Sequence, residues 1–347
     1  MKLSHKKKEH NDFPTVWRWE ITVISALCLL FSALLAVSFG PIHLSFTSIV
    51  KTLLGIENSI STQDRTVLLY VRVPRVLLAA LVGSALATSG AVYQSVFRNP
   101  LADPYLLGAA AGAGLGATIA FTSSTHNLTG ILPIFAFAGA TIAVLASFFI
   151  SGRFFADPSS LVLSGIAVGS FATAIQTYLQ QRHTAILRPV YSWILGELTA
   201  ATWSIVAWST FYISISFLVL RTISKRLDAL MLSDEEAFSL GVNPRKLRII
   251  AVVSATLLTA TAVAASGLIG FVGIVVPHLV RGITHSSTNR ALPSIALVGA
   301  SFLVIADLGA RTLVSPAELP IGVITAFVGA PFFLYVLRRK RMGHNSD

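Results

Sequence analysis

The chain has 347 residues, of which 54% are hydrophobic and 12% are charged, with a net charge of +11 and one cysteine. Soluble domains carry about a quarter charged residues, so this composition excludes an ordinary soluble fold. Apolar stretches close to the ~20 residues of a membrane-spanning helix recur along the whole chain. We therefore expect an all-α polytopic membrane protein with about ten transmembrane helices.

The apolar stretches predict ten helices in chain order, the eighth of them short for a full span. A tail at 1–19 precedes one transmembrane domain at 20–338, which is interrupted by a polar loop at 222–248, and a second tail follows at 339–347. The predicted helices cover residues 20–39, 73–97, 105–123, 131–151, 161–180, 200–221, 248–266, 270–284, 291–311 and 320–338.

The positive charge is sorted between the two sides of the predicted topology. The tails and alternate loops hold 19 of the 26 Lys and Arg residues, and the other side holds seven. Lysine and arginine accumulate in cytoplasmic loops, so both termini are expected in the cytoplasm of a bacterial cell. The charge is an orientation signal and predicts no nucleic-acid partner.

The chain lacks the motifs of an enzyme. We find no phosphate-binding loop, no dinucleotide fingerprint, no paired cysteines and no zinc-type histidine spacing. The sequence predicts no catalytic residue, no metal site and no cofactor. Any hydrolysis of ATP would belong to a separate chain.

Three arginines are expected at the outer mouth of the spans. Arg72 and Arg75 lie in "LYVRVPRV" at the start of the second span, and Arg311 ends the ninth. They could extend along the membrane interface, or they could form a docking site for carboxylates of a partner. Asp307, four residues before Arg311, is placed to neutralise it on one helix face.

Two loops combine proline with an acidic residue. They read "RNPLADP" at 98–104 and "SPAELP" at 315–320. Prolines end helices sharply, and an acidic side chain is favourable at a helix N-terminus. We expect Asp103 and Glu318 to have such structural, helix-capping roles.

The polar stretch "LMLSDEEAFSLGVNPRKLR" at 230–248 predicts a short capped helix. Ser233 and Glu236 form the capping-box pattern, Asp234 and Glu235 add negative charge to the first turn, and Gly241 ends the helix. Two turns of helix are unstable alone in water, so this one must pack on something. Acidic helices are repelled by anionic lipid, which favours a soluble cytoplasmic partner.

Several long segments resemble the FecCD-type permeases, the membrane subunits of ABC importers for iron–siderophores, haem and vitamin B12. The resemblance covers about residues 20–340. It rests on "RVPRVLLAALVGSALATSGAVYQSVFRNPLADPYLLG", "SDEEAFSLGVNPRKLR", "SGLIGFVGIVVPHLVR" and "ADLGARTLVSPAELPIGVITAFVGAPFFLYVLRR".

The resemblance implies a vitamin B12 permease-like fold, a permease dimer, two cytoplasmic ABC ATPase subunits and an extracytoplasmic substrate-binding protein. Arg72, Arg75 and Arg311 match the arginines that receive glutamates of the binding protein. Ser159 and Ser160 lie where the family narrows its inner gate. The 230–248 loop matches the helix that couples the permease to the ATPase, through residues Ser233, Asp234, Glu235, Glu236, Phe238, Leu240 and Gly241.

Two other readings remain open from the residues alone. A secondary transporter driven by an ion gradient would use carboxylates within the membrane, for which Asp307 and Glu197 are candidates. A scaffold or receptor without transport would leave the capped helix and the arginines unexplained. The residues do not distinguish siderophore, haem and cobalamin, or a homodimer and a heterodimer; we expect an iron–siderophore.

Overall fold

A computed structural model describes residues 17–40, 51–52, 61–123, 128–152, 158–284 and 286–344, and these residues form helices joined by short loops. The α-helices are α1 Trp17–Ser38, α2 Thr62–Val67, α3 Val73–Val96, α4 Ala109–Ser123, α5 Leu128–Ser151, α6 Pro158–Arg182, α7 Leu187–Ile194, α8 Trp203–Leu227, α9 Asp234–Ser239, α10 Pro244–Ser266, α11 Val272–Thr284, α12 Thr288–Thr312 and α13 Ile321–His344.

The predicted fold class is confirmed. Within the described residues, seven helical segments are long and apolar enough to cross a membrane, and three further apolar helices are shorter. Together they correspond to the ten predicted helices, and α11, the eighth of these, has 13 residues. Most of the 1–19 tail and residues 345–347 lie outside the described residues.

The second span is longer than predicted. A π-helical turn at Leu68–Arg72 joins α2 to α3, so that the helical segment runs without interruption from Thr62 to Val96. The predicted start of this span is residue 73. Pro74 lies two residues after the π turn, a helical irregularity that is frequent at functional sites.

Helix α3 lies at the centre of the bundle and packs against α8, α10, α11 and α12. Small residues allow the close approach. A Cβ on Gly83 would lie 2.2 Å from the carbonyl oxygen of Gly299, and one on Gly90 would lie 2.1 Å from that of Gly273. Helices in lipid associate through such packing rather than through hydrophobic burial, so α3, α11 and α12 form a tightly packed block.

A second group of helices, α4, α5 and α6, is joined to this block mainly through α10. The outer faces of α5 and α6 expose large apolar side chains, among them Phe149 and Leu163. Tyr105 connects the groups, because its hydroxyl donates to the carbonyl oxygen of Ile269 and accepts from the Ile269 amide, at 3.0 and 3.1 Å. Ile269 lies in the non-helical segment between α10 and α11.

Candidate functional sites at the two ends of the bundle

The predicted capping box is present at the start of α9. The Ser233 backbone amide donates to Glu236 Oε2 at 2.9 Å, and the Glu236 amide donates to Ser233 Oγ at 3.2 Å. Hydrogen bonds from the Ser233 amide and hydroxyl lower the pKa of the Glu236 carboxyl. Gly241, with φ +75°, follows the helix end, and Pro244 begins α10. The local prediction for this stretch is confirmed.

Helix α9 presents an apolar surface outward. Phe238 is 69% exposed and Leu240 is 65% exposed, whereas Ala237 is fully buried against the protein. The preceding turn adds the exposed side chains of Met231 and Leu232. These apolar side chains and the acidic first turn of α9 lie in the same 230–248 loop. Exposed apolar side chains beside negative charge suit a protein partner better than an anionic lipid surface.

Asp234 points towards the protein and joins α9 to two other segments. Its Oδ1 atom accepts from Arg98 Nη2 at 2.6 Å and from Arg248 Nη2 at 3.1 Å. Arg98 follows the end of α3, and Arg248 lies in the first turns of α10. Arg98 also donates from Nε to the carbonyl oxygen of Leu230 at 2.7 Å. Neither arginine stands out in the sequence as a partner of Asp234, because nothing local links positions 98, 234 and 248.

At the opposite end of α3, Arg75 binds two carboxylates. Its Nε donates to Asp307 Oδ1 at 2.9 Å, and its two terminal nitrogens donate to the two oxygens of Glu318 at 3.1 and 2.8 Å. Glu318, expected to cap a helix, is instead a bidentate partner of this arginine. Its side chain is 37% exposed, whereas that of Asp307 is 1% exposed.

The other two predicted docking arginines hold the end of α1. Arg311 Nη2 donates to the carbonyl oxygen of Ala36 at 2.6 Å, and Arg72 Nη1 donates to that of Val37 at 2.9 Å. These carbonyls belong to the last turn of the helix, which has no further intrahelical donors. Arg311 also pairs with Asp307 at 3.2 Å, as the spacing of four residues predicts.

All three arginines are therefore buried, between 3% and 7% exposed. Burial by neighbouring side chains differs from extension along a membrane interface, which was the alternative reading. The docking role stays a prediction. Arg75 lines a cleft of about 80 Å³ together with Glu197 and Glu318.

A larger cavity of about 1000 Å³ runs along α6 and the start of α4. Its wall combines glycines with neutral polar groups, including Gly108, Gly169, Thr173 and Thr177, and Asp103 lies at one end. Asp103 Oδ1 accepts from the Tyr105 amide at 2.8 Å, so it stabilises the turn that precedes α4 rather than capping a helix as expected. Burial raises the pKa of the Asp103 carboxyl to about 6.

The two predicted gate residues lie in the first turn of α6. Ser159 is exposed and Ser160 is half-buried. Neither lines the large cavity, whose nearest residue on this helix is Gly165. Their role as a gate stays a prediction.

Within the described part of the chain, no group of three or more His, Cys, Asp or Glu side chains could hold a metal ion.

Comparison with known proteins agrees with this picture. The profile of the FecCD transport family matches residues 28–339. The Fe(3+)-citrate import system permease protein YfmE of Bacillus subtilis is 35% identical over 91% of this chain and 94% of its own length. The hemin transport system permease protein HmuU of Yersinia pestis is 37% identical over 91% of this chain and 94% of its own length.

A cobalamin permease and a solved transporter structure are also similar to this chain. The cobalamin import system permease protein BtuC of Halobacterium salinarum is 38% identical over 78% of this chain and 73% of its own length. A solved transporter described as of metal-chelate ABC type, in an inward-facing conformation, superimposes with a TM-score of 0.80 at 29% identity, covering 92% of this chain and 99% of that one.

Proposed function

Because the chain belongs to the FecCD transport family, we propose that it is the membrane-spanning permease subunit of an ABC importer that carries an iron–siderophore. The family membership makes it an ABC importer permease for an iron chelate, haem or cobalamin. The iron–siderophore is the narrower choice. It is supported by the Fe(3+)-citrate permease among the relatives, whereas the hemin and cobalamin permeases are similar enough to keep both cargoes in the test.

The observation that carries the proposal is the outward apolar surface of α9. Phe238 and Leu240 are exposed on a helix that is capped at both ends and anchored through Asp234. An exposed large apolar side chain on a rigid element is the usual anchor of a protein interface. We assign this surface to a cytoplasmic ABC ATPase subunit, with Ser233, Glu235, Glu236 and Gly241 shaping the helix or its rim.

The remaining partners follow from the same reading. An extracytoplasmic substrate-binding protein would dock at the Arg75 end, with carboxylates directed at Arg72, Arg75 or Arg311. A second permease, either another copy or a paralogue, would cover the α6 face and close the large cavity into a path. Both termini would be cytoplasmic, since α9 and the lysine-rich and arginine-rich loops would share one side of the membrane.

The chain itself would do no covalent chemistry in this scheme. ATP binding and hydrolysis in the partner would shift the permease between outward-open and inward-open states. The wall of the α6 cavity is mostly small and neutral, which leaves room for a bulky cargo without a deep energy minimum that would retain it. Ser159 and Ser160 would narrow the inner end of that path.

The alternative of an ion-gradient-driven transporter has less support. Asp307, its main candidate, is fully buried and pairs with both Arg75 and Arg311. Both of its carboxylate oxygens contact guanidinium nitrogens, so Asp307 already serves as the counter-charge of two arginines. Glu197 lines the small cleft at the Arg75 end rather than the α6 cavity.

The test is uptake by proteoliposomes that contain this chain, its candidate ATPase subunit and its candidate binding protein. The probes are ferric siderophore complexes, ferric citrate, haemin and cyanocobalamin, each with and without internal ATP. Uptake of a ferric siderophore that requires ATP and the ATPase chain supports the proposal. If haemin or cobalamin is taken up and no ferric siderophore is, that compound replaces the iron–siderophore as the proposed cargo. Uptake that is driven by an ion gradient and needs no ATPase overturns the proposal of an ABC importer.

A further inference from the structure

Arg98 contacts both sides of the turn that leads into α9. Its Nε atom donates to the carbonyl oxygen of Leu230, and its Nη2 atom donates to the carboxylate of Asp234. Leu230 is fully buried, so this turn is fixed to the core, and the guanidinium fork joins the turn and the first residue of α9. Planar guanidinium groups can make two directed contacts of this kind, whereas an ammonium group acts as a point charge.

Arg98 also begins the loop that forms one end of the large cavity. The residue adopts φ +51° directly after α3, and the Asn99 amide donates back to the carbonyl oxygen of Gln94 at 3.1 Å. The loop then continues to Asp103 and Tyr105, which both line the cavity. Only a few residues therefore separate the contact with α9 from the cavity wall.

Arg248 is the second partner of the Asp234 carboxylate, and it holds this carboxylate to α10. It lies in α10 and is 2% exposed, whereas Arg98 and Asp234 have side chains that are 35% and 40% exposed. A buried guanidinium held within a packed helix moves with that helix, whereas the half-exposed pair can change its geometry at lower cost. The carboxylate of Asp234 thus joins one rigid and one adaptable partner.

We propose that the Asp234–Arg98 ion pair is the mechanical link through which a movement of α9 reaches the wall of the cavity, with Arg248 holding Asp234 on α10. Asp234 then acts inside the permease, as a positioning residue, rather than as a contact to the ATPase. This inference rests on the proposed function, because it takes α9 as the element that the ATPase moves.

The experiment measures accessibility of the cavity, so it needs no knowledge of the cargo. In a Cys28→Ser background, Thr173→Cys places a single thiol in the cavity wall, where Thr173 is exposed. The complex with the ATPase is reconstituted in lipid, and the rate of maleimide labelling is compared with and without MgATP and vanadate. In the otherwise unchanged chain we expect the nucleotide to change this rate by at least about fivefold.

Arg98→Gln is the main variant, because it leaves the ion pair between Asp234 and the buried Arg248 in place. We expect it to retain the ATPase subunit at unchanged yield while the nucleotide effect falls below about twofold. Asp234→Asn should lose the nucleotide effect at least as completely, because it removes the ion pairs with both Arg98 and Arg248. Adding Arg98→Gln to it should cause little further loss, since the Arg98–Asp234 pair is already broken. Arg98→Lys should recover part of the effect, because lysine restores the charge but not the fork.

Arg290→Gln is the matched control, since it removes an exposed positive charge in the first turn of α12 and should leave the nucleotide effect intact. A full nucleotide effect in Arg98→Gln would overturn the link. Loss of the ATPase subunit from the Arg98→Gln variant would also overturn it, because the Arg98–Asp234 pair would then be needed for binding the ATPase. If MgATP and vanadate do not change the labelling rate of Thr173→Cys in the parent complex, the cavity wall is not the part that moves and the proposal fails. Failure of the parent chain to bind any ATPase would instead overturn the proposed function.

Discussion

Arg75 and Asp307 meet 232 positions apart in the chain, with Arg75 Nε at 2.9 Å from Asp307 Oδ1. Asp307 is fully buried, and Arg311 reaches its second oxygen at 3.2 Å. One carboxylate thus compensates two buried guanidinium groups at the junction of α3 and α12. Glu318 adds a third charged contact that is open to solvent, so the cluster has a buried half and an accessible half.

The buried half should be essential for folding. Asp307→Asn removes the shared carboxylate, so the buried Arg311 loses its ion pair with Asp307 and Arg75 retains Glu318, at an expected cost of about 3–5 kcal/mol. Thermal denaturation of the purified chain in detergent checks this, with Glu318→Gln as the matched control of smaller effect. Equal stability of the Asp307→Asn variant and the parent chain would show that the pair contributes nothing to the fold.

The accessible half should regulate docking at Arg75. If a carboxylate of the binding protein uses this arginine, it competes with Glu318. Glu318→Gln should then strengthen binding-protein affinity by about tenfold, because a neutral amide holds the guanidinium less tightly. Arg75→Gln should weaken affinity. Surface plasmon resonance on lipid-embedded permease measures both, and weaker binding by the Glu318→Gln variant would mean that Glu318 itself supports the interface.

The α9 surface should depend on its apolar side chains. Phe238→Asp is expected to lower affinity for the ATPase subunit by more than about tenfold, since Phe238 is 69% exposed and is an anchor in our proposal. Phe238→Leu, which keeps an apolar side chain, should retain most of the affinity. Co-purification and titration of the ATPase distinguish the two. Undiminished binding by the Asp variant would move the interface elsewhere.

Asp103 should make stability depend on pH. Burial raises its pKa from 3.8 to about 6 in the folded chain, so the folded state binds the proton more tightly than the unfolded state. Its negative charge therefore destabilises the folded state above about pH 6. This free-energy cost disappears as the pH falls towards 3.8, the pKa of the carboxyl in the unfolded chain.

Asp103→Asn should accordingly stabilise the chain at pH 8 by about 1–3 kcal/mol, with little effect near pH 4. Denaturation midpoints across this range test the sign. Glu20→Gln, at an exposed carboxylate in the first turn of α1, should show no comparable trend. A lower midpoint for Asp103→Asn at pH 8 would contradict the assignment.

The sequence was informative where the cause is local. The spacing of Ser233 and Glu236 is sufficient for a capping box, and runs of apolar residues are sufficient for the spans, because backbone groups in lipid must bond within a helix. It was less informative where partners are distant. Nothing near Arg72 or Arg311 indicates that their guanidinium groups bind carbonyls of α1, and nothing near Arg98 indicates Asp234.

Boundaries failed for a related reason. The sequence predicted a helix start at residue 73, whereas the helical segment begins at Thr62 and continues through the π turn at Leu68–Arg72. Helix α7 was not predicted at all. Its eight residues are short of any span, and it depends on burying Val190 and Trp193 against the bundle. Such elements exist through tertiary contacts rather than through their own propensity.

The glycine contacts at the centre of the bundle affect how genetic screens should be interpreted. At Gly83 and Gly90 even alanine would collide with a backbone carbonyl of the facing helix, so a selection for lost transport would recover these positions beside Phe238 and Arg98. Substitutions of the glycines and substitutions of Phe238 or Arg98 would give the same growth phenotype, but the former would act on folding and the latter on coupling. Immunoblots of the membrane fraction would separate them, because the glycine alleles should be degraded, whereas the coupling alleles should persist at normal abundance.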